Sequence, residues 1–470
     1  MPAGKALDRA RKTSPLGADD AFQGVLDGVA MGGLIRNPAR LVPLAFLVVI
    51  LAGTAALMMP MAKSGEGAAP FLTALFVATS AVGVTGLSTV DTATYWTGFG
   101  QGVIYLLFHI GGFGIMSAAT LLGMVVSRRI GLGRQLIVQA EARGIAPSDV
   151  RSVLKLVFTV ALVVETLAVI VLTTRFMARD EVFATALWHA AFHAGAAFTN
   201  AGFSNYSEGF SLYASDALAQ APIMMAVIVG GLGLPVLHDL RRGRKHPWSL
   251  HTKLTLLGSG VLTVLGALGV LGFEWSNPAT LGGMDLWDKV WNAFFHSVNT
   301  RSCGLNTLNN GAFTEETMMM TFALMLTGAG SAGTGGGIKV TTVMILILAV
   351  WSELRGDPDT TVFRRRISPS VLREAMAVTG LSVALLMLAT IALRATTDLP
   401  LNQLIYEAIS AFGNVGLSMG ITASLPPAAQ WIIILLMYLG RVGIVTVATG
   451  LALRPRRADF RYPEERPIVG

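Results

Sequence analysis

Stretches of apolar residues long enough to cross a bilayer recur along this chain, and no other feature restricts its fold so strongly. A crossing needs roughly 20 residues. Candidate spans lie at 41–62, 98–126, 152–174, 219–240, 254–273, 318–350 with an interruption, 374–393 and 429–453. Non-helical backbone is tolerated at membrane depth only where protein surrounds it or water reaches it, so these runs predict helices. The mean hydropathy of +0.61 and a charged fraction of only 13% exclude a soluble globular protein of 470 residues. The fold class expected is an all-α polytopic membrane protein with eight transmembrane helices in the lipid bilayer.

The basic residues set an orientation. Of 35 Lys and Arg, 27 lie in five segments: 1–40, 127–155, 241–253, 353–373 and 454–466. These alternate with segments that hold almost none, so the positive-inside rule puts the five on the cytoplasmic side, with both termini inside. The intervening outer segments carry Asp91, Glu208, Asp285, Asp288, Glu315, Glu316 and Asp398. An acidic outer face raises the local concentration of cations. The formal charge of +7 therefore belongs to the membrane arrangement, and no nucleic-acid partner is expected. One cysteine excludes an intrachain disulfide. The basic, polar N-terminus lacks the apolar core of a cleaved signal peptide.

A unit repeats four times. "ATSAVGVTGLSTV" (78–90) has relatives in "GAAFTNAGFSNYS" (195–207), "FHSVNTRSCGLNTL" (295–308) and "AISAFGNVGLSMG" (408–420). Each contains a glycine followed by Leu or Phe, at Gly86, Gly202, Gly304 and Gly416. Each sits between two apolar spans and follows a short amphipathic stretch, such as "LWDKVWNAFFHSV" (286–298). The unit reads span, half-helix, extended glycine strand, span. It divides the chain into a cytoplasmic segment 1–40, pore repeats 41–126, 150–240, 250–350 and 368–455, and a cytoplasmic tail 456–470. A half-helix that ends at membrane depth points its partial negative end at the strand. Rings of backbone carbonyls replace a cation's hydration shell, as the TVGYG loops of potassium channels do, and "VGVTG" (82–86) is close to that pattern. Four such units in one chain make a filter around one pseudo-fourfold axis.

At these residues the chain resembles the Trk/Ktr/HKT superfamily of potassium transporters, and most of all the Ktr-type membrane subunit. The likeness covers roughly residues 40–455. It implies a filter built from Val84, Thr85 and Gly86; Asn200, Ala201 and Gly202; Ser302, Cys303 and Gly304; and Asn414, Val415 and Gly416. Potassium would be held at the carbonyls of Thr85, Ala201, Cys303 and Val415. Homologues with serine at the first filter glycine tend toward sodium, so Gly86 favours potassium. Cys303 departs from the alanine more usual there. Family resemblance further implies a homodimer, a location in the cell membrane, and a cytosolic ring of RCK-type regulatory subunits that bind ATP or ADP. The chain itself contains no nucleotide-binding domain. Sodium is a candidate activator.

"TGAGSAGTGGGIKVTT" (327–342) interrupts the sixth span. Each glycine in a helix costs about 0.8–1.0 kcal/mol against alanine, so Gly328, Gly330, Gly333, Gly335, Gly336 and Gly337 predict a break. The phosphate-binding pattern G-x-x-x-x-G-K-[ST] is not met, because Ile338 follows Gly337. The family likeness makes this segment, with Ser331 and Lys339, the intramembrane gate. Lys339 could instead snorkel to the interface. Arg441 lies inside the last span and is read as an electrostatic barrier or a latch to loop carbonyls, the other reading being an ion pair with Glu165. Glu407 is expected to pair locally. His189 and His193 stand in "HAAFH" rather than HExxH, so hydrogen bonding within the second half-helix is expected of them, not metal.

The chain thus reads as a potassium-translocating subunit and not an enzyme, since no catalytic cluster is visible. The alternative is a sodium-selective or sodium-coupled transporter of the same architecture.

Overall fold

The computed structural model describes residues 38–128, 150–179, 182–243 and 247–443. Residues 1–37 of the cytoplasmic segment read at 1–40, the tail read at 456–470 and the end of the span read at 429–453 lie outside the described residues. Among the described residues the regular secondary structure is helical apart from one two-stranded hairpin (361–362 with 365–366). Its helices are α1 (Pro38–Leu57), α2 (Phe71–Gly83), α3 (Thr92–Tyr95), α4 (Gly98–Arg128), α5 (Val150–Phe176), α6 (Phe183–Thr199), α7 (Ala217–Leu232) and α8 (Leu234–Arg241). They continue as α9 (Leu250–Glu274), α10 (Leu286–Asn299), α11 (Glu315–Leu326), α12 (Val340–Leu354), α13 (Pro369–Thr396), α14 (Leu401–Gly413) and α15 (Pro427–Val442).

Among the described residues, Lys155–Phe176, Leu250–Glu274 and Pro369–Thr396 are long and apolar enough to cross a membrane as single helices. Their outward residues are apolar too: Leu162, Leu167, Leu388 and Ile391 are each more than half exposed. Such a surface suits lipid and not water.

Two segments read as spans are broken. The one at 219–240 is no continuous helix: α7 and α8 meet at an angle of 100°. Gly233 takes the left-handed φ of 88°, and Pro235 follows in the first turn of α8. Glycine at such a φ and proline at a helix start are the residues that permit this corner. The second break separates α11 from α12 at 327–339.

The two breaks complement each other. The bend leaves carbonyls of Gly230 and Gly231 free to accept from Thr334 N at 3.2 Å and Gly330 N at 2.9 Å, while Leu234 N donates to Ala332 O at 3.3 Å. Irregular backbone at this depth survives because each broken segment satisfies the other's groups. Approach is close enough to require glycine: a Cβ on Gly233 would stand 2.3 Å from Ser331 O, and one on Gly333 2.6 Å from Gly231 O.

The short helices α2, α6, α10 and α14 lie inside the bundle, with their last residues fully buried. Three are seated through a glycine against a long helix that comes after them, α2 against α4, α6 against α7 and α14 against α15. A Cβ would lie 2.1 Å from Val82 O at Gly111, 1.9 Å from Phe198 O at Gly230 and 1.9 Å from Phe412 O at Gly440. Two apolar cores flank them. One joins α1, α2 and α4 with α13, α14 and α15; the other joins α5, α6 and α7 with α10.

Gly440→Ala forces the last helix away from the end of α14. We expect a loss of stability of about 1–3 kcal/mol, read as a lowered midpoint in detergent thermal melts. An exposed control, Gly380→Ala, should leave the midpoint in place, because nothing lies within 4 Å of a Cβ there.

Candidate functional site: four glycine segments and the loop beneath them

Helices α2, α6 and α14 end alike. Val84, Asn200 and Asn414 cap them in the left-handed region (φ 57°, 61° and 50°). The next residue's N–H then returns to a carbonyl of the last turn: Thr85 N to Ser80 O at 2.8 Å, Ala201 N to Ala196 O at 2.7 Å and Val415 N to Ser410 O at 2.9 Å. This closure turns the chain sharply out of the helix. Asparagine enters the left-handed region readily, whereas a β-branched valine does so only under constraint. The side chain of Ser80 accepts from Gly86 N at 3.0 Å, and that of Ser410 from Gly416 N at 3.1 Å. In this way two of the extended segments are tied back to the helices that launch them.

The third segment differs. Thr300 caps α10 in the right-handed region, and Cys303 N bonds Asn299 O at 2.8 Å. Gly86, Gly202 and Gly416 have φ of 97°, 67° and 91°, but Gly304 is not left-handed. Its glycine is required by contact instead of by conformation. Arg301 anchors this segment to α9, donating to Ser259 O at 2.8 Å, Ser259 Oγ at 3.3 Å and Thr263 Oγ1 at 3.2 Å. Sequence reasoning passed over Arg301, although a positive charge next to an apolar helix end was a signal to follow.

The four glycines close a ring. A Cβ on Gly86 would stand 2.5 Å from Ala201 O, one on Gly202 2.7 Å from Gly304 N, one on Gly304 2.5 Å from Gly416 C, and one on Gly416 2.0 Å from Thr85 O. Each segment thus meets the next, and the last meets the first. Side chains bind the same neighbours: Ser207 Oγ donates to Asp91 at 2.6 Å, Asn310 to Ser418 O at 3.4 Å, and Asn414 Nδ2 to Thr85 Oγ1 at 2.9 Å. The Cys303 thiol is buried, 4.0 Å from Ala196 O. Glu407, fully buried, accepts from Ser418 at 2.9 Å and from Thr422, bracing the chain that leaves the fourth segment. The local role expected for it matches this geometry.

On one side the ring opens into a cavity of about 400 Å³ lined by residues of all four segments, Asp91 and Glu208 among them. Partial burial of Asp91 raises its pKa, but hydrogen bonds from Ser207, Ala93 N and Thr94 outweigh that and hold the carboxyl below its ordinary value. The charge at this mouth is therefore kept at pH values where ordinary carboxylates begin to take up protons.

On the other side lies the loop 327–339. Thr334, Gly335 and Gly336, consecutive in sequence, touch three segments in turn. Asn200 Nδ2 donates to Thr334 Oγ1; a Cβ on Gly335 would lie 2.0 Å from Ser302 Oγ; and one on Gly336 would lie 2.2 Å from Asn414 Oδ1. Gly328 and Gly337 stay at the loop's base, with Gly328 N on Ile338 O at 2.8 Å and Gly337 at φ 69°. Ser331 Oγ meets Thr341 Oγ1 at 2.9 Å. Lys339 turns inward and donates to Gly335 O instead of snorkelling.

Arg441, 3% exposed, donates Nη1 to Thr334 O and Nη2 to Gly111 O, the latter at 2.8 Å. It does not pair with Glu165. That carboxylate is 3.4 Å from His109 Nε2, on the other flank of α4. His193 bonds Ser204 Oγ at 3.0 Å and its own helix at His189 O. No group of three or more potential His, Cys, Asp or Glu metal ligands occurs among the described residues.

A bundle of apolar helices that buries four short helices and their glycine segments is a helical membrane protein of a transport class. Residues 35–462 match the family described as "TrkH: Cation transport protein", and the chain belongs to that family. It is 37% identical to Ktr system potassium uptake protein B of Bacillus subtilis over 92% of this chain and 97% of the relative. It is 33% identical to Ktr system potassium uptake protein B of Vibrio alginolyticus, over 92% and 94%. The potassium transporter TrkH of Vibrio parahaemolyticus shares the fold, with a TM-score of 0.71 at 17% identity, covering 89% of this chain and 85% of that one.

Removing Asp91's strongest donor tests the mouth. In Ser207→Ala the Asp91 carboxyl should protonate at higher pH than in the parent. Its charge is present above the folded-state pKa and lost as pH falls through it. Cation uptake at limiting cation concentration should then fall off at less acidic pH, and uptake measured from pH 7 to pH 4 checks this.

Proposed function

We propose that this chain is the pore subunit of a potassium uptake system in the cell membrane. It has eight spans in four repeats about one axis, with both termini in the cytoplasm. The closed cycle of Gly86, Gly202, Gly304 and Gly416 is the observation that carries this reading. Four backbones that approach so closely leave room for no side chain, so whatever passes between them meets carbonyl oxygen. Thr85 O, Ala201 O and Val415 O are among the atoms nearest to neighbouring glycines. With the Cys303 carbonyl they would coordinate a dehydrated cation. The names of the two Ktr relatives support potassium as that cation.

The loop 327–339 is the gate. It lies against the inner ends of three of the four segments, and Arg441 holds it there through Thr334 O. A plug that fits only because residues 335 and 336 lack side chains blocks by position. Control comes from the cytosol, through a separate nucleotide-binding ring of RCK type, and two copies of this chain assemble as a dimer. Sodium enters as an activator and is not the principal cargo.

Uptake of Rb⁺ or K⁺ into liposomes that hold the purified protein, with Na⁺ as competitor, tests the reading. Na⁺ flux that exceeds K⁺ flux would select the sodium transporter instead. Gly86→Ser should lower discrimination against Na⁺, because its side chain would press on Ala201 O and disturb the ring. Unchanged relative permeability in a folded variant counts against the filter. Gly336→Ala, driven against Asn414, should raise flux in the absence of any regulator, as should shortening 330–337. Wild-type flux in both would show that the loop is not the gate.

A further inference from the structure

A second cavity, of about 300 Å³, shares no lining residue with the mouth of the glycine ring. It lies between the first turns of α9, α12 and α13 and the hairpin that precedes α13. Leu254, Ile345 and Val371 supply apolar wall, and His251, Arg366 and Ser368 supply polar groups. The Nε2 atom of His251 is buried and has no hydrogen-bond partner among the described residues. Buried polar atoms are nearly always satisfied, so an unpaired one in the lining of a cavity calls for an occupant.

The hairpin beside this cavity is held at a conformational cost. Thr361 pairs with Arg366 and Val362 with Arg365, so Phe363 and Arg364 form the two-residue turn, at φ 49° and 61°. Asn, Asp and Gly enter this region easily, and neither turn residue is one of them. An aromatic ring and a cation are thus kept at the tip where easier residues would make the turn. Lys253 Nζ of α9 stands 5.4 Å from the centroid of the Phe363 ring, which ties the tip to the helix across the cavity. Arg366 donates Nε to Asp359 Oδ1 at 2.8 Å, and that pair uses one N–H of a guanidinium that has several.

Depth and charge choose the occupant. Helices α9 and α13 are long and apolar enough to cross a membrane, and both begin at this cavity. Trp248, two residues before α9, and Phe363 are exposed there, as aromatic residues are at a membrane interface. Arg364, Arg365 and Arg366 lie on the hairpin, with Lys253 opposite; the carboxylates of the same connection are Asp357 and Asp359, the second already paired. Basic clusters at the end of a membrane helix attract anionic headgroups. We propose that this cavity takes the phosphate headgroup of an anionic phospholipid, with Arg366, Ser368 and His251 donating to its oxygens. A cavity of this size holds the headgroup, while the acyl chains follow exposed apolar residues of α13, Met376 and Leu381 among them. Free phosphate would meet the same donors but leave Leu254, Ile345 and Val371 unused, which favours the lipid. The leaflet is the inner one, and that detail rests on the orientation given above.

The test titrates the purified full-length protein, in non-ionic detergent, with phosphatidylglycerol, phosphatidylcholine, glycerophosphate or inorganic phosphate and follows the melting midpoint. Phosphatidylglycerol alone should raise it, because a ligand of the folded state stabilises that state. Arg366→Gln should weaken the apparent affinity for this lipid about tenfold, the size of a lost charged hydrogen bond. Val371→Phe fills the cavity and should weaken it too, with every charge kept. Arg373→Gln removes the same charge from an exposed position outside the lining and should leave the titration unchanged. An equal response to phosphatidylcholine, or no response to any lipid, overturns the proposal. So does an equal loss in Arg373→Gln, which would mean diffuse attraction of charge, or an equal response to either soluble phosphate. If Arg366→Gln leaves the lipid titration unchanged and instead breaks co-purification with the regulatory ring, the cavity takes protein and the proposal falls. Should Arg366→Gln not fold, Val371→Phe decides, and a retained lipid response overturns the site. None of these measurements depends on ion flux or sidedness, so the function and orientation proposed above stand or fall separately.

Discussion

Backbone meeting backbone, with no side chain between, is the contact on which the rest of this structure depends. It occurs at the ring of Gly86, Gly202, Gly304 and Gly416, and again wherever a short helix end is seated against its neighbour at Gly111, Gly230 and Gly440. Such contacts bring unpaired peptide groups to a depth where water is scarce, and each must find a partner inside the protein. The left-handed caps of α2, α6 and α14 are one answer, and the serines that accept from Gly86 N and Gly416 N are another. The helices around the ring are long, apolar and outward-facing because their task is to hold these exposed peptides away from lipid.

The same rule explains why the chain breaks two helices and not one. A glycine-rich stretch between α11 and α12 exposes donors that the helix would have satisfied. The 100° corner between α7 and α8 exposes acceptors in the same place. Either break alone would be costly; together they close. Arg441 then fastens the loop to α4 by bridging Thr334 O and Gly111 O. A charged group spent on two neutral carbonyls satisfies irregular backbone that the helices leave unpaired.

The four units are alike but not identical, and the differences sit where function would use them. The third segment lacks the left-handed cap, is anchored by Arg301, and carries the only thiol beside its glycine. It also belongs to the unit whose second helix is broken by the loop.

Much of this was legible in the sequence. Apolar length specified helices in a membrane, because lipid leaves the backbone few choices. Four glycines at similar spacing marked the segments, because only glycine permits the approach they make. Asn200 and Asn414 are conformationally apt for the turns that they cap. The corner at Gly233 was missed: hydropathy counts residues along a line and is blind to direction, so 219–240 read as one span. Arg441 was read within its span as a barrier or a latch to loop carbonyls, and it does donate to the loop carbonyl of Thr334. Its second acceptor, Gly111 O, could not be read, since a lone charge in a sequence does not say what else lies within reach. The contacts of Thr334, Gly335 and Gly336 with three segments that lie 33 to 134 residues away in sequence have no local signature at all. Composition and periodicity determine what a stretch must become in lipid. Which unpaired peptide or side-chain oxygen faces which other is decided only when all the helices are packed, because burial and partner are properties of the assembled neighbourhood.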